Sequence, residues 1–87
     1  MNLKRLREIH RHSFRNAEEI KASKLCGCFY CCKIFDAKEV KDIHIATEKS
    51  GGATAWCPHC NIDALIGDAS GIKINQYMLS EMHKAFF

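Results

Sequence analysis

The sequence predicts an α+β domain on three observations. An amphipathic run without Gly or Pro opens the chain, two C-x-x-C pairs bracket short β-capable runs, and an apolar helical stripe fills the last dozen residues. At 87 residues this is one small domain. Such a chain buries only about 60% of the surface it exposes unfolded, so its core needs a disulfide, a metal or a partner.

Residues 1–24 read as one basic amphipathic helix. Asn2 caps it, and Leu3, Leu6, Ile9, Phe14, Ala17 and Ile20 fall within one broad stripe at 100° per residue, carrying the helix to about Ala22. Lys4, Arg7, Arg11 and Arg15 share another face at steps of three and four. Like charges at that spacing repel by a few tenths of a kcal/mol per pair. The stripe is either a solvated face or a contact surface for phosphates or an acidic partner. Net charge is +3 overall, but this segment alone has seven Lys/Arg against three Glu, while residues 25–87 hold six Lys against seven Asp/Glu.

Residues 25–67 read as a metal module. C-G-C-F-Y-C-C places four cysteines in seven residues, and W-C-P-H-C follows. Between them, Asp36 with Glu39 fits a capping box for a short turn to about Lys41. Ile43–Thr47 and Ala53–Cys57, separated by E-K-S-G-G, read as a hairpin. After Cys60, I-D-A-L-I suits a helix of about two turns ended by Gly67. Residues 68–87 are a loop and a last helix, capped by Asn75, with Met78, Leu79, Met82, Ala85 and Phe86 on one face.

Cys28, Cys31, Cys57 and Cys60 form two C-x-x-C pairs with 25 residues between them. Two intervening residues let both thiolates of a knuckle turn point at one ion. Two knuckles then complete a tetrahedral shell with no open position, which suits one structural Zn2+. An iron–sulfur cluster also takes four cysteines. Register in the first cluster stays open, because Cys26 with Cys28, or Cys28 with Cys32, also offers a pair. The downstream spacing favours Cys28 with Cys31, leaving Cys26 and Cys32 as packed or spare thiols and His59 pointing outward.

The arrangement C-x-x-C, hairpin, C-x-x-C at a helix start resembles treble-clef and zinc-ribbon modules over residues 26–66. More narrowly, C-G-C-F-Y-C, A-T-A-W-C-P-H-C-N-I-D-A-L-I-G-D-A-S-G and the terminal M-H-K-A-F-F resemble a family of small bacterial cytoplasmic proteins of uncharacterised function. That resemblance implies zinc at Cys28, Cys31, Cys57 and Cys60 and carries no reaction. The chain is also similar to HNH endonucleases at Asp42-Ile43-His44, Gly51-Gly52 and Cys60-Asn61. There His44 would activate water and Asp42 would hold a metal. It departs from them in separating Asp42 from His44 and in placing Ala53, Thr54 and Ala55 after the glycines.

No Gly-rich phosphate loop and no Ser or Cys nucleophile with a base at a known spacing is present. The opening M-N-L-K-R-L-R-E has no apolar secretory core, and no run approaches the ~20 apolar residues that span a bilayer. The expectation is a cytoplasmic, non-enzymatic zinc-binding adaptor, regulator or inhibitor. Its partner is a protein or a second copy, met through Lys4, Arg7, Arg11 and Arg15, with nucleic acid and HNH-like cleavage as the alternatives.

Overall fold

In the computed structural model, which describes residues 1–87, the architecture is α+β. Asn2 starts the first helix as the sequence predicts: its Oδ1 accepts from the Arg5 amide at 2.8 Å. That helix, α1 (Leu3–His10), buries Leu6 and Ile9. It does not run to Ala22. Arg11–Ser13 tighten into a 3-10 turn, Phe14 is extended, Arg15 is left-handed at φ 52°, and a separate short helix α2 (Ala17–Lys21) follows.

The break has a physical cause at Asn16, which is 2% exposed. Its Nδ2 donates to His12 O and Leu65 O, both at 2.9 Å, while its Oδ1 accepts from the Ala55 amide at 3.0 Å. An Asn side chain that takes backbone partners from elsewhere competes with helix continuation. The adjoining Arg15 amide leaves the helical ladder as well and donates to Thr54 Oγ1 at 2.9 Å.

Five short strands follow: β1 (Leu25–Cys28), β2 (Ile34–Asp36), β3 (Ile45–Thr47), β4 (Ala53–Ala55) and β5 (Leu65–Gly67). β1 is the centre of an antiparallel three-stranded sheet ordered β2-β1-β5, with Cys26 opposite both Phe35 and Gly67. β3 and β4 form the separate hairpin that the sequence predicts, turned through Gly51 and Gly52 at φ 104° and 73°. The hairpin is shorter than its apolar runs, because Asp42–His44 coil into a 3-10 turn before β3.

The helix expected over I-D-A-L-I does not form: Ile62–Ala64 are irregular and Leu65 and Ile66 begin β5. Ile66 pairs with Gly27 and Leu65 with Cys28, so the run closes the second edge of β1 and buries Ala64, Leu65 and Ile66. A short run with four apolar residues in five fits either period, and the open edge of β1 decides.

Asn75 Oδ1 accepts from the Met78 amide at 2.8 Å and starts α3 (Gln76–Phe86), which buries Met78, Leu79 and Met82. The helix comes close to β1 because Gly27 has no side chain: a Cβ there would lie 2.9 Å from Leu79 Cδ2 and 3.0 Å from Ile74 Cγ2. α1 packs against α3, so the N-terminal and C-terminal helices meet. No helix is long and apolar enough to cross a membrane.

Candidate metal centre

The four cysteines of the two C-x-x-C pairs converge. Their sulfurs all lie within 4.8 Å of one another, with Cys28 Sγ 3.6 Å from Cys60 Sγ and Cys31 Sγ 3.8 Å from Cys57 Sγ. A disulfide would bring two sulfurs to about 2 Å, and all six cysteines are free thiols. Four thiolates about 2.3 Å from one ion stand about 3.8 Å apart along a tetrahedral edge. The donor set therefore fits a single metal ion.

Each knuckle is held by the same set of backbone bonds. In the first, the Cys28 amide donates to Lys33 O at 3.0 Å and the Cys32 amide to Cys28 O at 2.8 Å. In the second, the Cys57 amide donates to Ile62 O at 2.9 Å and the Asn61 amide to Cys57 O at 2.8 Å. The Tyr30 and His59 amides each point at a sulfur, at 3.4 Å from Cys28 Sγ and 3.4 Å from Cys57 Sγ. Cys32 and Asn61, the residues that leave the knuckles, are both left-handed, at φ 62° and 65°.

Burial sets the electrostatics. Cys28 and Cys57 are fully buried, while Cys31 and Cys60 are partly covered. Desolvation pushes the Cys57 thiol up to about 11 and the Cys28 thiol further, against the pull of the knuckle amides. At Cys31 desolvation is outweighed by the Lys33 amide and the neighbouring sulfurs, and the thiol is lowered. Four thiolates enclosed together need a cation to offset their mutual repulsion and desolvation.

The remaining cysteines stand apart from this cluster. Cys26 is fully buried in β1, where desolvation first, then Asp68 and Asp36, hold its thiol up at about 12. Cys32 turns its sulfur toward Leu79 O at 4.0 Å. His59 faces away from the sulfurs: its Nε2–H donates to Glu39 Oε1 at 2.9 Å and its ring meets Phe35 at 4.9 Å between centroids. Glu39 therefore does not close a capping box on Asp36, although Asp36 Oδ1 does accept from the Lys38 amide at 2.8 Å.

The cationic stripe is only partly assembled. Lys4, Arg7 and Arg11 line one groove with Glu8, His10 and Phe86. Arg15 does not join them. The left-handed turn carries it to the tip of the β3–β4 hairpin, where Nη2 donates to Ser50 O at 3.2 Å and to Ser50 Oγ, with the guanidinium 5.2 Å from the Phe14 ring. Asp42 and His44 sit in the 3-10 turn before β3. The Nδ1 of His44 accepts from the Lys41 amide at 2.9 Å, so that lone pair is spent on local structure.

Two further residues position the centre, and of these Asn16 is the one that sequence reasoning did not single out. Phe29, inside the first knuckle, is 1% exposed and packs toward the rings of His10, Phe86 and Phe87. Its carbonyl accepts from His83 Nδ1–H at 3.1 Å. Asn16 bonds the strands that enter and leave the second knuckle. The one signal for it was an Asn inside an otherwise helical run. Comparison with protein-family models, with curated proteins and with solved structures finds no match.

Proposed function

We propose that this chain is a zinc-stapled, non-enzymatic binding module that contacts another protein through the cationic face of α1. The closed shell of four sulfurs carries the reading. Cys28, Cys31, Cys57 and Cys60 would occupy every position of a tetrahedral ion, leaving none for substrate or water. The ion then acts on folding, where structural zinc contributes on the order of 10 kcal/mol in small domains. The resemblance to small zinc-ribbon proteins agrees with this use. Zinc suits four thiolates with tetrahedral edges better than the harder divalent ions, which take oxygen ligands.

Contact with a partner then falls to the outer surface. Lys4, Arg7 and Arg11 are exposed, and none has a carboxylate within ion-pair distance; the pairing on α1 is Arg5 with Glu8 at 3.4 Å. Asp42 and His44 do not enter the proposal, because the imidazole is engaged as a local cap. Native mass spectrometry of the chain isolated gently from its own cells tests the reading. One zinc per chain, with a protein bound or captured on gentle cross-linking, supports it. A chain carrying no metal overturns it, as does, in a separate assay, plasmid nicking with Mg2+ or Mn2+ that stops at His44→Ala.

A further inference from the structure

The cationic groove does not end at the arginines. Lys4, Arg7 and Arg11 line a space of about 520 Å³ between α1 and α3. A second hollow of about 380 Å³, walled by Phe14, Phe29 and Phe87, adjoins it, and His10 and Phe86 line both. The boundary between the halves is a ring contact, His10 against Phe86 at 4.3 Å between centroids. Phe14 and Phe87 are about half exposed, at 49% and 55%, which is unusual surface for phenylalanine in a chain this small. The two halves are thus one continuous surface, cationic at one end and aromatic at the other.

Phe29 ties this surface to the metal centre. It lies between Cys28 and Cys31, and its ring stands 5.8 Å from His10 and 6.3 Å from Phe86. The knuckle that orients two sulfurs therefore also sets the floor of the groove. A floor fixed by a metal-stapled turn is preorganised, which reduces the ordering cost of binding.

We propose that this groove takes an acidic peptide segment carrying one large apolar residue, the acids meeting Lys4, Arg7 and Arg11 and the apolar side chain entering between Phe14, Phe86 and Phe87. The inference rests on the protein-binding reading above and names the chemistry of its partner. Charge complementarity selects an acidic occupant. The aromatic hollow selects an apolar anchor, the usual source of most interface energy. A peptide fits better than a nucleic acid because each half of the groove also holds one carboxylate, Glu8 in the cationic part and Asp63 in the aromatic part. A peptide can space its acids past them, whereas a nucleic acid presents a phosphate at every residue and would meet both.

The test is selection of a random short-peptide display library on the zinc-loaded chain, followed by fluorescence anisotropy of the enriched peptides. The expected consensus has several acids beside one aromatic or large aliphatic residue. Arg7→Glu with Arg11→Glu, both at exposed positions, should weaken binding about tenfold or more and flatten its salt dependence. Phe86→Ala should weaken it by a similar factor while leaving the salt dependence in place. Enriched peptides without acids, affinity unchanged by the double charge reversal, or no enrichment by a folded, zinc-loaded chain would each overturn the groove assignment and leave the zinc staple standing. A random single-stranded oligonucleotide that binds more tightly than the best peptide at equal salt would replace the peptide with nucleic acid. Loss of zinc from the chain as purified would instead overturn the proposed function itself.

Discussion

Cys28–Lys33 and Cys57–Ile62 run through the same bonds: an amide closing the loop, an amide pointing at the first sulfur, and a left-handed residue after the second cysteine. What surrounds them differs. The first knuckle is anchored from within, by the buried Phe29 ring set among α1 and α3. The second knuckle has no such buried ring, and its His59 faces outward toward Glu39 and Phe35. That knuckle is anchored from outside, by Asn16 reaching Ala55 before it and Leu65 after it. Sulfur placement is thus a property of the turn, and the residues around each turn remain free to attach it to a different part of the domain.

The largest test of this comparison asks whether the knuckles are equivalent where they are alike. Cys28→Ser and Cys57→Ser should each abolish stoichiometric zinc and unfold the domain at ordinary temperature, and chelation of the parent chain should do the same. Circular dichroism with metal analysis reads this directly. Retention of a folded chain by one variant alone would mean that only one knuckle is structural.

The anchors should separate next. Phe29→Ala empties a buried ring position and should cost about 3–5 kcal/mol with zinc still bound. His59→Ala, in the other knuckle at the place of Tyr30, should cost under about 1 kcal/mol, because its hydrogen bond with Glu39 is half in solvent. Urea unfolding midpoints in excess zinc make the comparison, and equal losses would show that the outward knuckle is anchored by its own side chains after all.

Asn16→Ala should cost about 3 kcal/mol, since it strands the Leu65 carbonyl and the Ala55 amide in the interior. Asn16→Asp keeps the shape and should fare no better, because a carboxylate would face two carbonyl oxygens that need donors. Recovery of stability by Asp would locate the anchor in packing and not in hydrogen bonds.

The smallest effect lies at the left-handed exits. Asn61 suits that conformation and Cys32 does not, so Cys32→Asn should be neutral or stabilising by a few tenths of a kcal/mol, with zinc stoichiometry unchanged. Asn61→Cys should lose about as much. A loss of zinc with Cys32→Asn would make Cys32 a ligand and reopen the register of the first cluster.

The sequence by itself determined the elements that depend on neighbours a few residues apart. Asn2 and Asn75 cap their helices because capping closes within one turn, and Gly51-Gly52 reverse the hairpin because their φ values are local. The four sulfurs were legible for the same reason: C-x-x-C is itself the geometry of a knuckle. Tertiary structure decided what local signals leave balanced. The run from Leu3 to Ala22 has helical periodicity throughout, yet Asn16 gains two buried hydrogen bonds, to Leu65 and Ala55, by breaking it, and Arg15 leaves the cationic stripe as a consequence. I-D-A-L-I is apolar enough for either helix or strand, and the unpaired edge of β1 draws its Leu65-Ile66 end into a strand. In both cases the deciding partner is tens of residues away along the chain, where periodicity carries no information.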